Sequence, residues 1–425
     1  MKNIPLLLNH CSELLAQWID ETAPLRGADK IKQQYFQERR YLGSKDRRLI
    51  GDLYYDIIRN LRLYEWQIQK NISTDTDHVP SDLLVVHAYQ RHFPDKVQNI
   101  IFNIEDGISH YFTHYRYKDQ LPQYPPIRWS IPDVLWDRIH VHYTEEEIEL
   151  CLAEMNKPAT VHLRTNTMKI SPSELQHSCK DLSLQSGNIS PDALRMDKRS
   201  NLNQHSMYRR GMFEFQDESS QLVAFVCNPK KDDVVIDLCA GAGGKTLHLA
   251  SLRSDSGTLV ATDRYPKRLK ELARRAKRAG LQHISLISFD EMLPRFVEKA
   301  DILLIDAPCS GSGVYGRHPD KKWELSKEKL QNYLRIQHDI LNDYAKLVKP
   351  GGFLVYATCS IIPDENEKQV ETFLSQHPEF ALYSVYKDLS AYGIQISHDN
   401  SSKMLSILPQ HFLSEGFFIS KMIKK

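Results

Sequence analysis

Apolar positions early in the chain recur three and four apart: Ile50, Leu53, Tyr54, Ile57, Ile58 and Leu61. That spacing lines one face of a helix. Glycine is scarce here and strand-like alternation is weak, so residues 1–125 are expected to form an all-α domain. Residues 121–132 hold four prolines in twelve positions, which breaks helices and predicts a linker. Beyond it come a helical stretch from Thr144 to Met155, the strand-like TVHLRTNT, and Ser171-Pro172-Ser173 opening a further helix. This texture predicts a small α/β module over 126–215. From 216 to 425 the pattern changes again. VVIDL, TLVATD, ILLID and FLVYAT are short apolar runs, and helical stretches such as Lys267 to Arg278 and Lys327 to Val348 lie between them. Alternating strands and helices predict a parallel, doubly wound sheet. Ligands bind such sheets beyond the carboxyl ends of the strands.

Composition narrows the class. Hydrophobic residues at 41% are enough for several cores, so disorder is excluded. No run of about 18 apolar residues occurs, so a membrane span is not expected. The opening stretch Ile4 to Leu8 is too short for a signal peptide. Seven cysteines with no Cys-x-x-Cys pair favour neither a zinc ribbon nor a disulfide framework. Reduced thiols in a cytoplasmic monomer, with no metal, are the expectation. The net charge of +1 means that any anionic partner must meet local patches. Two basic runs qualify, Arg26 to Arg48 and Arg264 to Arg278, each with eight Lys/Arg. Each is a phosphate-contacting surface or simply a solvated helix face.

The chemistry-bearing residues gather at the strand ends. The first end reads Asp237-Leu238-Cys239-Ala240-Gly241-Ala242-Gly243-Gly244-Lys245-Thr246. Glycines let the backbone approach a ligand and aim helix N–H groups at it. The dinucleotide pattern fails at Thr246, and the P-loop pattern fails at Cys239, where its first glycine belongs. An S-adenosylmethionine turn tolerates both. Asp263 ends the second strand and is placed to accept from ribose hydroxyls, or to cap the next helix. Asp290, in LISFDEM after the third strand, is placed to meet an adenine.

The fourth end is Asp306-Ala307-Pro308-Cys309-Ser310-Gly311-Ser312-Gly313, and the fifth is Tyr356-Ala357-Thr358-Cys359-Ser360. A lone cysteine is usually inert packing. Two at adjoining strand ends put two thiols over one cleft, and beside Lys245 a thiol pKa is expected to fall. Cytosine carbon 5 is a poor nucleophile until a thiolate adds to carbon 6. Asp306, if protonated, suits the base's ring nitrogen 3, and a second thiol suits the release step.

DLCAGAGGKT, DAPCSGSGVYGRHPD and YATCSIIPDENEKQV together resemble the signature motifs of the RsmB/Sun-type RNA (cytosine-5) methyltransferases. LRTNT (Leu163 to Thr167), QDESSQ (Gln216 to Gln221) and LPQHFLSEGFF, taken as the closing strand, extend the likeness over roughly residues 130 to 425. The resemblance implies a Rossmann-like methyltransferase domain at 216–425, an RRM-like module at 126–215, and a NusB-like RNA-binding domain at 1–125. Only Arg40 to Asn60 is similar to the last. The RRM-like module shows no obvious stacking aromatic on a strand.

By the same resemblance Cys359 is the nucleophile, Cys309 releases product, and Asp306 contacts the base. Cys239, Ala240, Gly241, Ala242, Gly243, Gly244, Lys245, Asp263, Asp290 and Asp306 line the S-adenosylmethionine pocket. Gly241-Ala242 stands where the common bacterial turn has Ala-Pro, which predicts a looser loop. Ribosomal RNA is the implied substrate, with transfer RNA as the alternative. More remote are a DNA cytosine methyltransferase using Cys309, a P-loop ATPase, and a non-catalytic RNA scaffold.

Overall fold

The computed structural model describes residues 4–20, 27–72, 79–99, 107–196, 202–396 and 402–425. They form two units, 1–137 with 315–325, and 138–314 with 326–425. Among the described residues no helix is long and apolar enough to cross a membrane.

The first unit is helical, with helices Ile4–Ile19, Ala28–Glu38, Ser44–Ile72 and Ser81–His92. Ile50, Leu53, Tyr54, Ile57 and Ile58 are buried in its core, and Leu61 packs against it half-buried. The helix Ser44–Ile72 kinks at Asn60 (φ −113°). A kink frees carbonyls from the helical ladder, and each needs another donor. Here the donors come from the 315–325 segment. Trp323 Nε1 donates to Ile58 O at 2.8 Å, and the buried Lys322 Nζ donates to Arg59 O at 3.0 Å. Arg26, the first residue of one basic run, lies outside the described residues.

In the second unit β1 (Val161–Thr165), β2 (Gln185–Ser186), β3 (Ala193–Met196) and β4 (Phe213–Phe215) form an antiparallel sheet in the order β2-β3-β1-β4. Capping boxes at Thr144 and Ser171 start the helices Glu145–Met155 and Pro172–Ser178. The β4 strand carries two aromatics, which corrects the expectation of none. Phe213 is buried, and Phe215, 37% exposed, packs 5.2 Å from Tyr208.

A larger sheet follows, with β5 (Val234–Asp237), β6 (Thr258–Ala261), β7 (Ile284–Leu286), β8 (Ala300–Asp306), β9 (Val348–Thr358), β10 (Phe380–Tyr383), β11 (Leu405–Ile407) and β12 (Phe417–Lys424). Its order is β10-β12-β9-β8-β5-β6-β7, with β11 also paired to β12. From β9 to β7 all pairs are parallel, as in a doubly wound Rossmann-like methyltransferase domain. Successive side chains go to opposite faces and build two cores. Val235, Leu259, Ile302, Leu304 and Val355 join one, and Ile236, Val260, Leu303, Ile305 and Tyr356 the other. Such two-sided burial explains why these strands read as continuous apolar runs.

The far edge differs from a purely parallel sheet, because β12 lies antiparallel between β9 and β10. The closing strand also starts later than expected. Pro409–Phe412 is a helical turn and Leu413 takes φ 54°, so β12 begins only at Phe417.

Candidate active site

Going from β5, the chain runs to β6 and β7 on one side and to β8 and β9 on the other. This reversal opens a crevice at the carboxyl ends of β5 and β8. Asp237, Lys245, Asp263, Asp306, Cys309 and Cys359 all lie at the carboxyl ends of β5, β6, β8 and β9 or in the segments just past them.

The Gly-rich turn leaves β5 and enters the helix Gly244–Leu252. Gly241 has φ +54° and Gly243 has φ +90°. At Gly243 a Cβ would meet Leu272 Cγ at 2.5 Å, so both backbone angle and space demand glycine. Four ties hold the turn that was expected to be loose. Gly241 N donates to Asp263 Oδ2 at 2.9 Å, and Gly243 N to Ala240 O at 2.8 Å. Arg275 Nη1 donates to Ala242 O at 2.8 Å, and Arg164 Nη1 to Gly244 O at 2.6 Å. Asp263 also accepts from Tyr265 N at 2.8 Å, so it caps the following segment while bracing the turn. Asp290 sits exposed in the 3₁₀ turn Phe289–Glu291 after β7.

Three carboxylates and one ammonium meet here. Lys245 Nζ donates to Asp306 Oδ2 at 2.7 Å. Burial alone pulls the Lys245 pKa down, but Asp306 and its neighbours outweigh that and hold it above the ordinary lysine value. Asp237 accepts from Thr246 Oγ1 at 2.7 Å, while its buried Oδ1 has no partner. Burial, with Asp306 and Asp263 nearby, pushes its carboxyl up to about 7. An orphaned buried acceptor in an acid-rich crevice fits a cationic ligand. S-adenosylmethionine, with a sulfonium and an ammonium, is one.

Cys309 Sγ and Cys359 Sγ stand 3.5 Å apart, both partly exposed. The neighbouring strands β8 and β9 pair Asp306 with Ala357, so the loops that carry the thiols start level. The expected fall in thiol pKa does not occur at Cys309. Its hydrogen bond to Cys359, burial, and the charges of Cys359 and Glu365 push it well above the ordinary thiol value. Two sulfurs this close do not both ionise readily. Burial likewise pushes Cys239 up.

Several residues around the crevice escape a reading by spacing. Arg164 and Gln216 sit inside the quoted LRTNT and QDESSQ stretches, and they hydrogen-bond each other in the interior. Arg275 and Arg278 reach Glu214. Phe417 lies 5.0 Å under Lys245 Nζ. The signal at Arg164 was an arginine inside an apolar strand pattern.

The family model described as 16S rRNA methyltransferase RsmB/F matches residues 224–423. A relative from Synechocystis sp., "Probable ribosomal RNA small subunit methyltransferase B", is 35% identical over 303 residues, covering 70% of this chain and 67% of its own length. Two solved structures share the fold. The crystal structure of PH0851 is 24% identical with TM-score 0.77, covering 99% of both chains. That of NSun6 from Pyrococcus horikoshii with SFG is 23% identical with TM-score 0.60, covering 69% of this chain and 98% of that one. With the motifs, the parallel sheet and the crevice in agreement, the chain belongs to the 16S rRNA methyltransferase RsmB/F family.

Proposed function

We propose that this chain methylates carbon 5 of a cytosine in RNA through a covalent cysteine adduct, and that small-subunit ribosomal RNA is its substrate. The single observation that carries the chemistry is the pair of thiols 3.5 Å apart at adjoining strand ends. The substrate rests on the family and on the name of the Synechocystis relative.

S-adenosylmethionine, when bound, supplies an electrophilic methyl group. Cys239 to Lys245, Asp263, Asp290 and Asp306 are the residues assigned to hold it, and Asp237 joins them on its unpartnered oxygen. The thiolate of Cys359 adds to carbon 6, forming a C–S bond and moving electron density onto carbon 5. Asp306, in an ion pair with Lys245, is the residue assigned to contact the base. After methylation a base removes the carbon 5 proton, the C–S bond breaks and Cys359 leaves. Cys309, 3.5 Å from that sulfur, stands where the release step needs it. The target base must leave its stack to reach the crevice.

The two thiols then fail differently. Cys359→Ala forms no adduct and no product. Cys309→Ala still attacks and methylates but does not release. On a denaturing gel with target RNA and S-adenosylmethionine, a retarded protein–RNA band is expected with Cys309→Ala and absent with Cys359→Ala. The reverse pattern makes Cys309 the nucleophile. No band in either variant, with methylation unchanged, removes both thiols from the mechanism.

A further inference from the structure

Glu365 sits in the 3₁₀ turn Pro363–Glu365 just past β9, and its side chain is fully buried. Its two oxygens take four donors. Oε1 accepts from Ser310 N at 2.8 Å and from Gln337 Nε2 at 3.0 Å. Oε2 accepts from Ser310 Oγ at 2.5 Å and from Ser360 Oγ at 2.5 Å. Ser310 follows Cys309 and Ser360 follows Cys359, so one carboxylate joins the two loops immediately beside the thiols. The loops also meet each other. Gly313 N donates to Cys359 O at 3.0 Å, and Ile361 N donates to Ser312 Oγ at 2.9 Å. Tyr356 Oη donates to Glu365 O at 2.7 Å and fixes the turn that aims the carboxylate.

A buried carboxylate is costly unless donors surround it. Apolar side chains would fill the same space without that requirement. What a carboxylate adds is direction. Both serine hydroxyls must point their hydrogens at it, which sets both loops against one rigid fork.

We propose that Glu365 is a positioning residue for the thiol pair, holding the Cys309 and Cys359 loops in register so that both sulfurs reach the same reacting base. The catalytic half of this statement rests on the RNA-methylation reading, whereas the brace itself does not. Charge adds to geometry, since Glu365 is among the groups that push the Cys309 thiol up.

The test separates the two halves. Glu365→Gln keeps the volume but turns one acceptor into a donor facing donors. The full-length protein, without RNA, is treated with diamide. Two thiols lose two protons and two electrons to the diazene, which becomes the hydrazine as the Sγ–Sγ bond forms. The Cys309–Cys359 bridge is followed by peptide mass. The wild type is expected to close it readily, and Glu365→Gln about tenfold more slowly. The methylation kcat of the variant should fall on the order of a hundredfold, while KM for S-adenosylmethionine stays within about twofold. Ser360→Ala, which removes one arm, should show a smaller loss of both and serves if Glu365→Gln does not fold. Bridging at the wild-type rate in a folded variant overturns the proposal, whatever happens to methylation. So does an equal fall in cofactor affinity and melting temperature with bridging unchanged. Slowed bridging in an enzyme that methylates no RNA keeps the brace and sinks the RNA reading.

Discussion

Asp263 does two jobs with two oxygens. One oxygen accepts from Gly241 N and the other from Tyr265 N. Each carboxylate oxygen has a second lone pair, so a ribose hydroxyl can still be met. On the proposed assignment, Asp263→Ala removes a cofactor contact together with a brace of the turn. Losing a hydrogen bond to a carboxylate costs about 1.5–3 kcal/mol, so affinity for S-adenosylmethionine should drop roughly tenfold to hundredfold. Calorimetric titration checks this, and unchanged affinity takes Asp263 out of the pocket. Binding to RNA should hardly change, because Asp263 lies at a different strand end from the thiols.

The helix Pro266–Ala279 starts on a proline at its first turn and ends on Gly280 at φ +82°, the usual chemistry of both ends. Its basic run looks uniform in sequence and divides in the fold. Arg275 and Arg278 are held by Glu214, Arg274 by Glu271, and Arg268 lies 3.5 Å from Asp263. Arg264, Lys267, Lys270 and Lys277 are exposed. Fewer phosphate contacts are expected than the eight charges suggest. Each contact adds about 0.7 to the slope of log affinity against log salt for a single strand. Replacing Lys267, Lys270 and Lys277 by Gln should lower that slope by about 2 in an RNA-binding titration. An unchanged slope makes this helix face merely solvated.

Each unit buries a neutral histidine. In the first, His87 meets Tyr115 Oη at 2.6 Å and Gln67 Oε1 at 3.0 Å, and burial pushes its pKa down to about 3. In the second, His248 lies 3.0 Å from Asp192 Oδ2, and burial pushes it down to about 4. Unfolded histidine titrates near 6.5. With the folded values lower, the unfolded chain binds protons that the native chain does not once pH falls below about 6.5. Stability of the first unit should therefore fall as pH drops from about 6.5 towards 4, whereas in the second unit Asp237, pushed up to about 7, binds a proton in the native state over the same window and offsets His248. Melting temperatures measured across that window check it. His87→Gln should flatten the first unit's dependence, and an unchanged pH dependence in that variant rejects the account.

Periodicity and local chemistry determined a good deal of this protein. The stripe from Ile50 to Ile58 is a buried helix face because spacing of three and four leaves no other common face. The apolar runs ending at Asp237, Asp306 and Thr358 are strands of a sheet covered on both sides, and that coverage makes them apolar throughout. Once such a sheet is recognised, its carboxyl ends are the place for a site, and the two thiols were legible there. Tertiary structure alone decided the rest. Glu365, Ser310 and Ser360 lie up to 55 positions apart and meet only because β8 and β9 pair level. Arg164 and Gly244 are 80 apart and touch across two sheets of one unit. The antiparallel insertion of β12 and the raised pKa of Cys309 have the same origin. A pattern along the chain records which face a residue takes. It does not record which distant donor, charge or sulfur faces it, and those neighbours set its hydrogen bonds and its proton.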